Sequence, residues 1–184
     1  MKKVFLIIAL CVYALQLAAQ TQQDSVGVYM VRGDVIAPMS AINYDGTKIS
    51  KGFMSAKAKL EFAGATSENQ FTGAAKFRIY FGQPPVDKMA SLYMFMPNYK
   101  IGDFGIGQFE VKKNKRLLTT AKAAVFGSNG SGAKASENIS MEVTELRPNA
   151  YEITVIGAPG EYCIMHTFRG SGGYGGVFDF TILP

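Results

Sequence analysis

The chain has 184 residues, 48% of them hydrophobic and 18% charged, with 13 Phe, 9 Tyr, no Trp, two Cys and one His. A single histidine and scattered acids offer no ready set of metal ligands, so no built-in metal or other cofactor is expected. The formal net charge of +5 is small and evenly spread, whereas a nucleic-acid reader needs a wide basic face with stacking aromatics.

The chain opens Met1-Lys2-Lys3, and an apolar run follows from Val4 to Leu17 with Gln16 its one clearly polar residue. Leu17-Ala18-Ala19-Gln20 then sets small residues before a polar stretch. Positive start, apolar segment and small-residue site, in that order, make a cleavable export signal. The run is shorter than the ~20 residues a membrane span needs. The expectation is a signal peptide over 1–19, cut after Ala19, and no transmembrane span in the remainder. Cys11 follows Leu10 and only a short apolar run from Val4, which does not suit lipid attachment. The expected destination is the periplasm, outer surface or medium of a bacterial cell.

Removing 19 of the 184 residues leaves 165, Gln20 to Pro184, and 17 basic against 14 acidic side chains, a net charge near +3. One domain is expected over 20–184. A domain of that size buries about 70% of its unfolded surface and needs no disulfide to fold. Cys163 stands alone in it, so no intramolecular disulfide forms.

No segment keeps a helical period. Short β-rich runs alternate with Gly, Asn, Pro and Ser instead. Val26–Val31 is the first expected strand. Lys57–Phe62 and Lys76–Phe81 alternate polar and apolar residues, the second placing Phe77, Ile79 and Phe81 on one face. Ser91–Met96 is apolar on both faces, as a central strand would be, although Val86–Leu92 after Pro84-Pro85 also allows a helical turn. Phe104–Val111 and Leu117–Phe126 read as a hairpin joined through Asn114. Ile139–Leu146 alternates strictly, Arg147-Pro148-Asn149 turns it, and Tyr151–Ile156 returns. Ala158-Pro159-Gly160 turns again before Tyr162–Phe168, and Val177–Ile182 closes the domain. The fold class expected is all-β: a single antiparallel β-sandwich of about ten short strands.

Several motifs carry a tempting chemistry. Gly127–Lys134 looks like a phosphate loop, but Ala133 separates the last glycine from Lys134 and Ala135 follows it, so the motif is incomplete. Gly170–Gly176 precedes a strand, whereas dinucleotide sites place such glycines before a helix. Arg32-Gly33-Asp34, Asn129-Gly130-Ser131 and Asn138-Ile139-Ser140 are short enough to arise by chance. Lys112-Lys113-Asn114-Lys115-Arg116 reads as a solvated turn between strands. Cys163 and His166 are three apart on an expected strand, so they point to opposite faces and cannot pair as nucleophile and base. No catalytic residue and no metal ligand is assigned.

Tyr174, flanked by glycines, with Arg169 at the base of its loop, is the first candidate for ligand contact. Tyr99, beside Asn98, and Tyr44 are further candidate stacking rings. Pro159-Gly160-Glu161-Tyr162 and the closing Val177-Phe178-Asp179-Phe180-Thr181-Ile182 resemble small exported bacterial β-sandwich proteins of uncharacterised function. The resemblance covers about the last thirty residues and implies a fold, with no residue-level role. The function expected is a non-catalytic secreted binding or envelope-assembly module, joined to an envelope protein through an edge strand. A glycan- or small-ligand-binding sandwich is the alternative, and a hydrolase on a sandwich scaffold stands third.

Overall fold

A computed structural model describes residues 25–52, 55–124, 130–131, 139–166 and 176–184. The expected signal peptide lies outside the described residues. Two sheets make up the fold, as an all-β sandwich. The smaller has five strands in the order β10-β11-β6-β1-β2: Ile139–Arg147, Ala150–Gly157, Ala75–Tyr80, Gly27–Arg32 and Val35–Pro38. The larger runs β3-β4-β8-β7-β12-β13-β5, with β9 paired to β8. Its strands are Gly46–Gly52, Ser55–Ala63, Lys115–Ala124, Phe104–Lys112, Gly160–His166, Val177–Leu183 and Gln70–Thr72, with β9 at Gly130–Ser131.

Nine of the expected strands are present. The four additional strands, β2, β3, β5 and β9, are short or polar and show no strong alternation in the sequence. All pairings are antiparallel except β13 with β5. Tight turns join β7 to β8 and β10 to β11 where the sequence placed them, and one that it did not place joins β1 to β2. Gly33 (φ 58°) sits between β1 and β2, Lys113 (φ 54°) between β7 and β8, and Asn149 (φ 64°) between β10 and β11.

Between the sheets lies the main core. Phe77 and Ile79 of β6 and Ile153 and Val155 of β11 face Tyr162 and Ile164 of β12 and Phe178 and Phe180 of β13. Rings interlock there, with Phe77 and Phe180 centroids 4.8 Å apart. Alternation sends Cys163, Met165 and Val177 to the opposite face of the same hairpin. They join Leu60 and Phe62 of β4, Phe109 of β7 and Leu118 of β8 in a second cluster. β4 and β13 stand four places apart in the sheet, about 19 Å if it were flat. Sharing one cluster requires the sheet to curl round its own far face.

Ser91–Met96 is not a strand. Met89–Leu92 forms a single helical turn, α1, and Tyr93–Phe95 a 3-10 turn. An apolar run without alternation suits a helical plug as well as a central strand, and Pro84-Pro85 frees it from the preceding ladder. Met94 and Phe95 are wholly buried, and Phe95 stacks on Phe104 at 5.3 Å. Ile139–Leu146 does form a strand, β10, but all of it beyond Ile139 is exposed, where alternation alone suggested a half-buried one.

Gly107 of β7 stands against the second cluster. A Cβ there would meet Leu118 Cδ1 at 2.8 Å and Cys163 Sγ at 3.0 Å, whereas one at Gly102 meets nothing within 4 Å. Gly107→Ala should therefore cost about 1–3 kcal/mol by overpacking. Gly102→Ala should stay within about 0.5 kcal/mol of the parent. Urea unfolding of both variants checks this, and equal midpoints would show that the curl yields freely.

Candidate functional site

The candidate residues read from the sequence fall in separate places. Tyr174 and Arg169 lie outside the described residues, as do the glycine loops around them and most of Gly127–Lys134. Tyr44 is 54% exposed, between β2 and β3. Tyr99 packs against the main core, its ring edge-on to His166 with centroids 5.0 Å apart. Neither tyrosine lines the cavities described below. Arg32 of the Arg-Gly-Asp turn is tied back to β5. Its Nη2 donates to the Gln70 carbonyl at 2.9 Å, and its guanidinium lies over Phe71, beside a cavity of about 430 Å³.

Cys163 and His166 do point to opposite faces. Cys163 sits in the second cluster, where burial pushes its thiol well above the ordinary range. His166 is buried against Tyr99 and Phe104, and burial lowers its pKa, an effect that Asp103 partly offsets. A thiol held protonated and a distant imidazole provide no nucleophile.

The basic turn is neutralised in part by its neighbours. Glu110 pairs with Lys59 and with Lys112, and Lys115 reaches Glu61 at 3.1 Å. Hydrogen bonds from Lys59, then Lys112, hold the Glu110 carboxyl down to about 2. Arg116 departs from the solvated turn expected for it. It is the second residue of β8 and is buried in the curl of the larger sheet, at 5% exposure.

Arg116 organises a cluster that the sequence did not reveal. Its Nη1 donates to Asp179 Oδ2 at 2.5 Å and stands 3.5 Å from Glu161 Oε2. Its Nη2 donates to the Ala63 carbonyl at 3.3 Å, and its guanidinium lies 5.1 Å from the Phe109 ring centroid. The Nε–H is buried with no hydrogen-bond partner among the described residues. Glu161 is held further by the Thr181 hydroxyl at 2.7 Å and the Ser67 backbone N–H at 2.9 Å. Asn69 Nδ2 donates to the Asp179 carbonyl at 3.1 Å. Strand register explains the meeting. Glu161 lies opposite Thr181, and Cys163 opposite Asp179, so the acids continue the face that carries the second apolar cluster. The alternation of β12 and β13 held that signal, but the cation comes from a strand more than forty residues away.

Beside the cluster opens a cavity of about 590 Å³, lined by Met39, Ile42, Glu68, Asn69, Arg116 and Asp179 among others. Glu161 lies behind it and not in its wall. Between the two buried acids stands a cation, so they are not placed as a free acid and base on either side of a substrate bond. The arrangement can hold a polar ligand; it offers no activated nucleophile.

Two outcomes follow. Arg116→Met leaves two carboxylates buried without their cation and should cost about 3–5 kcal/mol in urea unfolding; a loss under about 1 kcal/mol would make the cluster dispensable. For His166 the folded pKa is depressed, so its contribution is complete above the ordinary imidazole value of about 6.5 and is lost as pH falls through the folded value. Stability measured between pH 7.5 and 5 should therefore fall, and His166→Phe should flatten that part of the profile. No protein-family model matches the chain, and comparison with curated proteins and with solved structures found no match.

Proposed function

We propose that this chain is an exported, non-catalytic binding module of the bacterial cell envelope that joins a partner protein by strand pairing along β10. The observation that carries the reading is the state of that edge. β10 is nine residues long, has one neighbour among the described residues, and is exposed over all but its first residue.

Natural sheet edges are blunted by shortness, charged side chains (Lys above all), Pro or bulges. Of the other three edges, β2 is four residues ending in Pro38, β3 carries Lys48 and Lys51, and β5 is three residues long. β10, Ile-Ser-Met-Glu-Val-Thr-Glu-Leu-Arg, is long and has neither Lys nor Pro; its blunting is limited to the charges Glu142, Glu145 and Arg147 and to a register shift between Glu145 and Arg147, near its end. Its apolar side chains also continue the core face. Met141 stands opposite Val155 and Val143 opposite Ile153, and directly opposed residues share a face. Val155 and Ile153 are wholly buried, while Met141 and Val143 are 36% and 41% exposed. The smaller sheet thus extends one strand beyond its cover. An added strand would satisfy the open backbone groups and shield that overhang, which is the β-augmentation mode of recognition.

Among the described residues no helix is long and apolar enough to cross a membrane. Crosslinking in the native envelope, from a photoreactive residue placed at Thr144, should capture one stoichiometric protein partner. Val143→Lys should abolish that adduct while shifting stability by no more than about 0.5 kcal/mol, since the side chain is exposed. A monomer with no adduct, or an adduct unaffected by Val143→Lys, would end this reading.

A further inference from the structure

We infer that the cavity beside Arg116 is a binding site for a small neutral amide, whose carbonyl oxygen accepts from the Arg116 Nε–H. The inference is independent of the β10 reading, because the cavity lies against the curl of the larger sheet and shares no residue with β10.

An unmet donor decides what the ligand must bring. Arg116 lines the cavity and is 5% exposed, yet its Nε–H has no hydrogen-bond partner among the described residues. A buried donor left unmet costs more than an average hydrogen bond contributes, so an acceptor delivered to it gains more than usual. The other two guanidinium nitrogens are engaged, Nη1 with Asp179 and Glu161 and Nη2 with the Ala63 carbonyl. In the planar guanidinium the Nε–H flanks Nη2 and points away from Nη1. It therefore stands on the Ala63 side, and Ala63 lines the cavity.

Charge makes the ligand neutral. Asp179 and Glu68 stand in the wall and Glu161 lies behind it, three carboxylates to one guanidinium. A phosphate, sulfate or carboxylate could reach the Nε–H only by entering that negative field. An ammonium group would suit the field but carries no acceptor for the Nε–H. An amide answers both demands, with an acceptor oxygen and N–H donors in one uncharged group. Ser40, Thr66, Glu68 and Asn69 line the same cavity and offer acceptor oxygens to those donors. Met39 is buried and Ile42 half-buried, forming an apolar wall for a few methylene groups. The volume of about 590 Å³ falls in the ordinary range for small-molecule sites.

The test uses three probes with one body and different heads: butyramide, butyrate and butylammonium, each titrated at millimolar concentration into the isotopically labelled protein. The backbone amide resonances of Ser40, Gly64, Thr66 and Asn69 are followed, together with the side-chain Nε–H resonance of Arg116. Butyramide should shift all five saturably with one dissociation constant. Butyrate and butylammonium should bind at least about tenfold more weakly, the first repelled and the second lacking an acceptor. Ser40→Trp, at the exposed rim, should abolish butyramide binding with the unfolding midpoint unchanged. No saturable shift with butyramide, equal binding of either charged probe, or undiminished binding in Ser40→Trp overturns the inference. So does butyramide binding that leaves the Arg116 Nε–H resonance unmoved, which would assign that donor to an internal water.

Discussion

β12 and β13 are buried on both faces, and most of the molecule is arranged around what those two faces require. One face is covered by the five-stranded sheet through an aromatic core. The other cannot be left to water, since Cys163, Met165 and Val177 project from it. The chain solves this by curling the larger sheet until β4 and β8 lie over its own central hairpin. Gly107 makes the close approach possible because a side chain at that point would occupy the space of Leu118 and Cys163.

The same curl creates the polar feature of the molecule. The far face of the hairpin is apolar at one end and acidic at the other, where Glu161, Asp179 and Thr181 project. Buried carboxylates are costly unless neutralised and hydrogen-bonded. Arg116 arrives with β8 and provides the charge, while Ser67 and Thr181 provide neutral donors. The cluster thereby ties β8, β12, β13 and the segment before β5 together. It also leaves an imbalance of one negative charge, and the neighbouring cavity opens beside it.

A different consequence appears at the smaller sheet. Its inner face is wider than the cover it receives, so the alternation that buries Ile153 and Val155 continues into Met141 and Val143 without a partner layer. The edge strand is long and has neither Lys nor Pro, and its register shift lies only at the far end, between Glu145 and Arg147. Core-like sequence on an exposed edge is a conflict between local pattern and global burial, and such conflicts are expected where a protein meets a partner.

Strand identity was legible in the sequence wherever period-two alternation met a turn signal: Lys76–Phe81, Phe104–Val111, Tyr151–Ile156 and Val177–Ile182 all became strands near the expected limits. The opposite facing of Cys163 and His166 was legible for the same reason, since side-chain direction on a strand is set by backbone geometry alone. Ser91–Met96 was misread because an apolar run without alternation has no period to distinguish a buried strand from a helical plug. β2, β3 and β5 were missed because strands that are short or polar owe their pairing to neighbours rather than to their own pattern. Tertiary structure alone decided that Arg116 is a buried cation rather than one more residue of a basic turn, that Glu161 and Asp179 share it, and that β10 lies uncovered. Each of these depends on which strands become neighbours across long stretches of chain, and a local pattern carries no record of what will stand opposite it.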